Sequence, residues 1–145
     1  MHLAIDLSDL YVWDSQIANY LAANQKAVER GVKIIRIFVL DKHLTYLDDQ
    51  NTILHPEIVR ILDDQLKIKI DVRILWKDVI KDNNLFEPPD MIIFDAQEIH
   101  LHKGHGGWYY DVTISKNVDE INSWEKEYQT WVDHSIKWFD IRKHD

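Results

Sequence analysis

Cysteine is absent from the chain. Its absence removes disulfides, thiolate zinc sites and cysteine nucleophiles, and it fits a reducing, cytoplasmic setting. Glycine and proline are scarce, at four and three residues in 145. They are also clustered, at Gly104, Gly106 and Gly107 and at Pro88-Pro89. Punctuation this local fits one compact unit with two marked breaks, so residues 1–145 read as a single domain, whether whole or cut from a larger protein. No repeat, low-complexity stretch or linker interrupts it. No apolar run approaches the about 20 residues that a bilayer span needs, and the start has no charged, apolar, small-residue leader. Positive charge is in deficit: Lys and Arg total 17 against 25 Asp and Glu, giving a formal charge of −8. An acidic chain has no general pull toward a phosphate backbone, which argues against non-specific nucleic-acid binding. Gly-x-Ser-x-Gly, the Walker loop and the dinucleotide fingerprint are all missing, and no Ser-His-Asp arrangement can be proposed from residue order.

What is present is an alternation of helical and extended patterns. Hydrophobic residues make up 46% of the chain, enough for a packed core. His2 to Asp6 is a short apolar lead strand. Asp14 and Ser15 are N-cap types, Ile17, Leu21 and Val28 share a helical face with the polar Asn24, and Gly31 is a left-handed stop. This predicts a helix over 14–30. Residues 33–40 hold six apolar side chains in eight, the pattern of a strand covered on both faces. Residues 41–51 read as a polar loop or short turn, and Pro56 suits the first turn of a helix whose stripe is Ile58, Ile61, Leu62, Gln65 and Leu66. Alternation from Ile68 to Ile74 predicts a strand. Met91 to Asp95, Glu98 to His102 and Trp108 to Ile114 read as further strands, the first two as a hairpin.

The last element carries Ile121, Trp124, Tyr128, Trp131, Ser135 and Trp138 at spacings of 3, 4, 3, 4 and 3. One long helix with an aromatic stripe follows. Its ordinary role is to dock on the sheet; its alternative is a dimer face through Trp124, Tyr128, Trp131 and Trp138. The expected fold is α/β, a three-layer α/β/α sandwich with a mixed, mostly parallel sheet and right-handed crossovers.

Four groups of residues are candidates for chemistry. His100 and His102 share a strand face, and with His105 and a carboxylate from Asp95 or Asp111 they have the types that ligate a divalent metal. A solvated hairpin tip explains the same histidines. Gly104-His105-Gly106-Gly107 is either an anion-cradling loop or a hairpin tip. Asp6, Asp9, Asp41 and Asp95 lie near strand ends, where converging carboxylates can hold magnesium, although Asp is also a turn and cap residue. Arg36 interrupts the apolar strand 33–40. A buried guanidinium needs a partner, as a core ion pair with an Asp or as a ligand clamp.

The run from Trp13 through Tyr20 to Val39 resembles the opening of a phospholipase D-like half-domain. Its helix ends in Arg30-Gly31-Val32 and feeds the strand Ile34-Ile35-Arg36-Ile37-Phe38. Leu66 to Leu75 is similar to that superfamily's next helix-to-strand unit. Asp90 to Asp95 looks like the strand leading into its catalytic hairpin, and Tyr128, Trp131 and Ile136 resemble its closing helix. The resemblance implies the fold. The enzymes of the family use His-x-Lys with an Asp five residues after the Lys. Here the nearest text is His100-Leu101-His102-Lys103, with Leu101 two before Lys103 and Trp108 five after it. The resemblance therefore implies a catalytically silent member, with no cofactor, of the kind used as a sensor or regulatory module. The expected function is a non-catalytic ligand-binding or regulatory domain with its pocket at Arg36, Asp95 and the 100–107 loop. The alternatives are a metal-assisted hydrolase or degenerate phosphodiesterase using His100, His102 and His105, and an interaction domain that dimerises through the aromatic helix.

Overall fold

The computed structural model describes residues 2–6, 21–105 and 108–143, with side chains over 21–102 and 112–143. The described elements are β1 (His2–Asp6), α1 (residues 21–29), β2 (Ile35–Leu40), α2 (Lys42–Thr45), α3 (Pro56–Lys67), β3 (Asp71–Trp76), α4 (Lys77–Asp82), β4 (Asp90–Phe94), β5 (Glu98–His105), β6 (Trp108–Ser115), α5 (Val118–His134), β7 (Ile136–Lys137) and α6 (Trp138–Arg142). The seven strands form one sheet in the order β6-β5-β4-β1-β2-β3-β7.

The α/β class and the mixed sheet agree with the sequence pattern; the mostly parallel sheet does not. Only β1–β2 and β2–β3 are parallel, while β4–β1, β4–β5, β5–β6 and β7–β3 are antiparallel. The reason lies in the connections. Parallel neighbours need a crossover helix, and only α1 and α3 supply one between adjacent strands. A tight turn joins β4 to β5 and forces antiparallel pairing, and only two residues separate β5 from β6.

Each face of the sheet carries its own core. Ile34, Phe38 and Leu40 of the β2 segment join Ile70, Val72, Ile74 and Trp76 of the β3 segment under α1, α3 and Trp138. Both crossover helices lie on this face, as two successive crossovers of one hand require. On the other face Ile37, Val39, Leu75, Met91, Ile93 and Ile99 pack against Ile80 of α4 and Ile121, Tyr128 and Trp131 of α5. The alternation of strand side chains distributes one apolar strand between two cores. The Tyr128 hydroxyl donates to the Ile35 carbonyl at 3.2 Å, and its burial pushes that hydroxyl far above its ordinary pKa.

Local signals set the helix starts. Pro56 occupies the first turn of α3, where a missing N–H costs nothing, and His55 Nδ1 accepts from Glu57 N at 3.3 Å. Asn117 caps α5 by accepting from Glu120 N at 3.0 Å, with Asp119 and Glu120 complementing the helix dipole.

The closing helix is a correction. The stripe predicts one helix through Trp138, but α5 ends at His134 and Ser135 is its extended C-cap. Ile136 and Lys137 then pair with Ile74 and Arg73, covering the amides of what would otherwise be an open sheet edge. That pairing turns the chain around the edge, so Trp131 and Trp138 are both 0% exposed but in opposite cores. Their indole N–H groups donate to Phe86 O at 2.7 Å and to Asp63 Oδ1 at 2.8 Å. Tyr128 is buried as well and Trp124 half-buried. Enclosed in this way, Tyr128, Trp131 and Trp138 offer no face to a second copy.

The β4–β5 turn holds Asp95 at φ 51 and Ala96 at φ 56, with Gln97 N donating to Phe94 O at 2.9 Å. Two left-handed residues match the twist of the flanking strands, and the second position favours glycine. Ala96→Gly is therefore expected to stabilise the chain by about 1 kcal/mol. A urea midpoint that rises with unchanged slope is the check.

Candidate functional site

Arg36 is fully buried between the sheet and the two crossover helices. Its Nη1 donates to Gln65 Oε1 of α3 at 2.5 Å, and its Nη2 to Asn24 Oδ1 of α1 at 2.5 Å. Among the described residues Arg36 meets two carboxamides, where the sequence points to an Asp. Arg36 thus ties both crossover helices to the central strand. Asn24 and Gln65 sat on otherwise apolar stripes, and that was the legible sign that something polar lay beneath them.

His100 and His102 share a strand face as expected, being opposite Ile114 and Val112 in register. His100 Nε2 lies 2.6 Å from Glu98 Oε1, and its ring meets Phe94 edge-on at 4.8 Å. Burial, with the charge of His100 beside it, lowers the His102 pKa. The side chains of His105 and Asp111, and the Gly106-Gly107 tip, lie outside the described residues, as does Asp9. Among the described residues no group of three His, Asp or Glu side chains is disposed to hold a metal.

The lowered His102 pKa has a sign. Unfolded His102 takes a proton near pH 6.5, the folded chain only at lower pH, so stability is full above 6.5 and declines as pH falls through that window. His102→Gln is expected to lose less stability than the parent between pH 7 and pH 5, as measured by urea unfolding at each pH.

The sheet does not bring Arg36, His100 and Asp95 together. One register row runs His100, Ile92, Leu3, Arg36. Three strand spacings of about 4.8 Å put roughly 14 Å between the ends of that row. β4 runs antiparallel to β1, with Ile93 beside His2, so Asp95 lies beyond the amino edge of the parallel strands. Asp6 and Asp41 lie at their carboxyl edge, Asp6 about 13 Å of strand from His2 and Asp95 further still. Asp95 is a turn residue in this arrangement.

The carboxyl edge of β2 and β3 does hold a cleft. It has a volume of about 430 Å³ and is walled by Asp41, Lys42, Lys77, Asp78, Lys81 and Asp49. Asp41 caps α2 by accepting from His43 N at 2.8 Å. Lys42 Nζ pairs with Asp78 at 3.2 Å and stands 5.5 Å from the Trp76 ring centre. Only Asp41 among these residues was singled out from the sequence. The rim is a built turn, one of the two alternatives for residues 41–51, a loop or a short turn. Asp48 accepts from Thr52 N at 2.9 Å, from Ile53 N at 2.7 Å and from the Thr52 hydroxyl, and these bonds, the hydroxyl's first, hold its carboxyl below the usual carboxylate range. The Asp48–Thr52 spacing was the available signal. Leu44, Leu47 and Ile53 stand exposed on this rim.

Among the described residues no helix is long and apolar enough to cross a membrane. No family model, no curated protein and no solved structure matches the chain.

Proposed function

We propose that the chain is a non-catalytic ligand-binding or regulatory domain on a phospholipase D-like scaffold, working in the cytoplasm. The observation that carries this reading is the carboxyl-edge cleft. Open α/β sheets take ligands outside the carboxyl ends of their parallel strands, and this is where β2 and β3 deliver the acids and lysines of the cleft. The groups there are disposed to hold rather than to transform: Asp41 is committed to a helix cap, and Lys42 to Asp78 and Trp76. The sequence supports the same reading, because His100-Leu101-His102-Lys103 breaks the pattern that the family's chemistry requires. The volume of the cleft, about 430 Å³, falls within the range of small-molecule sites, which is about 300–1,000 Å³.

The test is a thermal-shift screen of the purified chain against small polar metabolites. A true ligand at about 100 times its Kd stabilises by roughly 2.7 kcal/mol, a shift of several degrees. That shift should vanish in the Lys81→Ala, Asp49→Ala double variant. Steady turnover of bis(p-nitrophenyl) phosphate that is lost on His100→Ala would overturn the proposal in favour of an enzyme.

A further inference from the structure

The opposite edge of the same strands carries a second cleft, of about 450 Å³. Its walls include Lys33 ahead of β2, Leu66 and Lys69 at the end of α3, Asp71 at the start of β3, Lys137 of β7 and Phe139 of α6. Three lysines in one cleft stand out in a chain of charge −8. The acid in the wall, Asp71, is engaged by Arg73, whose Nε and Nη2 both lie 3.3 Å from its Oδ2. Asp63, Asp64 and Asp140, from the neighbouring helices, are taken by Arg142, Lys67 and Lys143. Lys69 and Lys137 pair with no carboxylate among the described residues. Lys69 and Lys137 are therefore open to a ligand.

Lys69 is also held against its backbone preference. It sits at φ 67 just past α3, where Lys69 N donates to Leu66 O at 3.0 Å and Ile70 N to Gln65 O at 3.3 Å. This is the helix-ending geometry that favours glycine. Beside it Phe139 is 60% exposed, a large ring left at the rim of a cationic cleft.

We propose that this amino-edge cleft binds a small aromatic anion, with the carboxylate or phosphate on Lys69 and Lys137 and the ring against Phe139. Paired lysines select the charge, and the exposed ring with Leu66 selects the flat apolar body. The site is separate from the carboxyl-edge cleft and does not depend on it.

Calorimetric titration of the full chain with phenyl phosphate, benzoate, inorganic phosphate and phenyl glucoside tests the proposal. At least one of the first two should saturate, and which one tells phosphate from carboxylate. Inorganic phosphate and the uncharged glucoside should each bind about tenfold more weakly or less. Added salt should weaken binding. Lys137→Ala should weaken it by about tenfold. Lys69→Gly should do the same while raising the urea midpoint, an opposition that misfolding cannot produce. Phe139→Ala should erase the preference for phenyl phosphate over inorganic phosphate. The proposal is overturned if neither aromatic anion saturates, or if binding survives the Lys69→Gly, Lys137→Ala double variant. Lys81→Ala and Asp49→Ala, at the other edge, should leave this binding unchanged.

Discussion

Arg36→Ala is expected to cost about 3–5 kcal/mol, a large share of the roughly 5–15 kcal/mol that holds a domain of this size. The cost lies in what the substitution leaves behind. Two buried carboxamide oxygens, Asn24 Oδ1 and Gln65 Oε1, lose the guanidinium that donates to them. Each such orphan costs about 1–3 kcal/mol, and the vacated volume adds a cavity term. Removing an acceptor should also hurt, because a hydrogen bond to a charged group is worth about 1.5–3 kcal/mol. Gln65→Leu should therefore fall between the parent and Arg36→Ala. The concerted change Asn24→Leu, Arg36→Met, Gln65→Met removes the donor and both described acceptors together and should be more stable than Arg36→Ala alone. Urea unfolding of the four proteins decides the matter. An Arg36→Ala chain that unfolds at the parental midpoint would mean that the residue is not part of the scaffold.

Trp131→Ala and Trp138→Ala are each expected to lose about 3–5 kcal/mol, since both side chains are fully enclosed and each carries one indole hydrogen bond. Their consequences should separate in space. Trp131 joins α5 to the segment ahead of β4 through Phe86 O, so its loss should raise hydrogen exchange in α5 and in residues 83–89. Trp138 joins α6 to α3 through Asp63, so its loss should loosen β7, α6 and the end of α3. The sheet stands between the two rings, so their costs should add to within about 0.5 kcal/mol in a double-mutant cycle. Strong coupling, or one shared pattern of exchange, would contradict the turn of the chain at Ser135.

Particular residues show how far the sequence alone could be read. The two-faced burial of residues 33–40, the Pro56 helix start and the 91–102 hairpin were visible because each rests on a local rule: strand alternation, a missing N–H, a tight turn. The boundaries moved by a few residues where caps such as Asn117 and the Lys69 turn decided them. Arg36 was recognisable as a residue needing partners, and Asn24 and Gln65 were noted separately as polar exceptions. That the three exceptions answer one another appears only when two helices fold onto one strand. The carboxyl-edge cleft was legible in one residue, Asp41, because its lysines come from elements distant in the chain.

The pattern of residues was sufficient for the α/β class and for which strands lie between two layers, because these depend on neighbours along the chain. Strand order, the direction of β4, the reversal at Ser135 and the placing of Lys69 and Lys137 in one cleft belong to the folded state. They turn on hydrogen bonds between remote backbones: the unpaired edge of β3 recruits Ile136 and Lys137 and stops a helix that its own periodicity would continue.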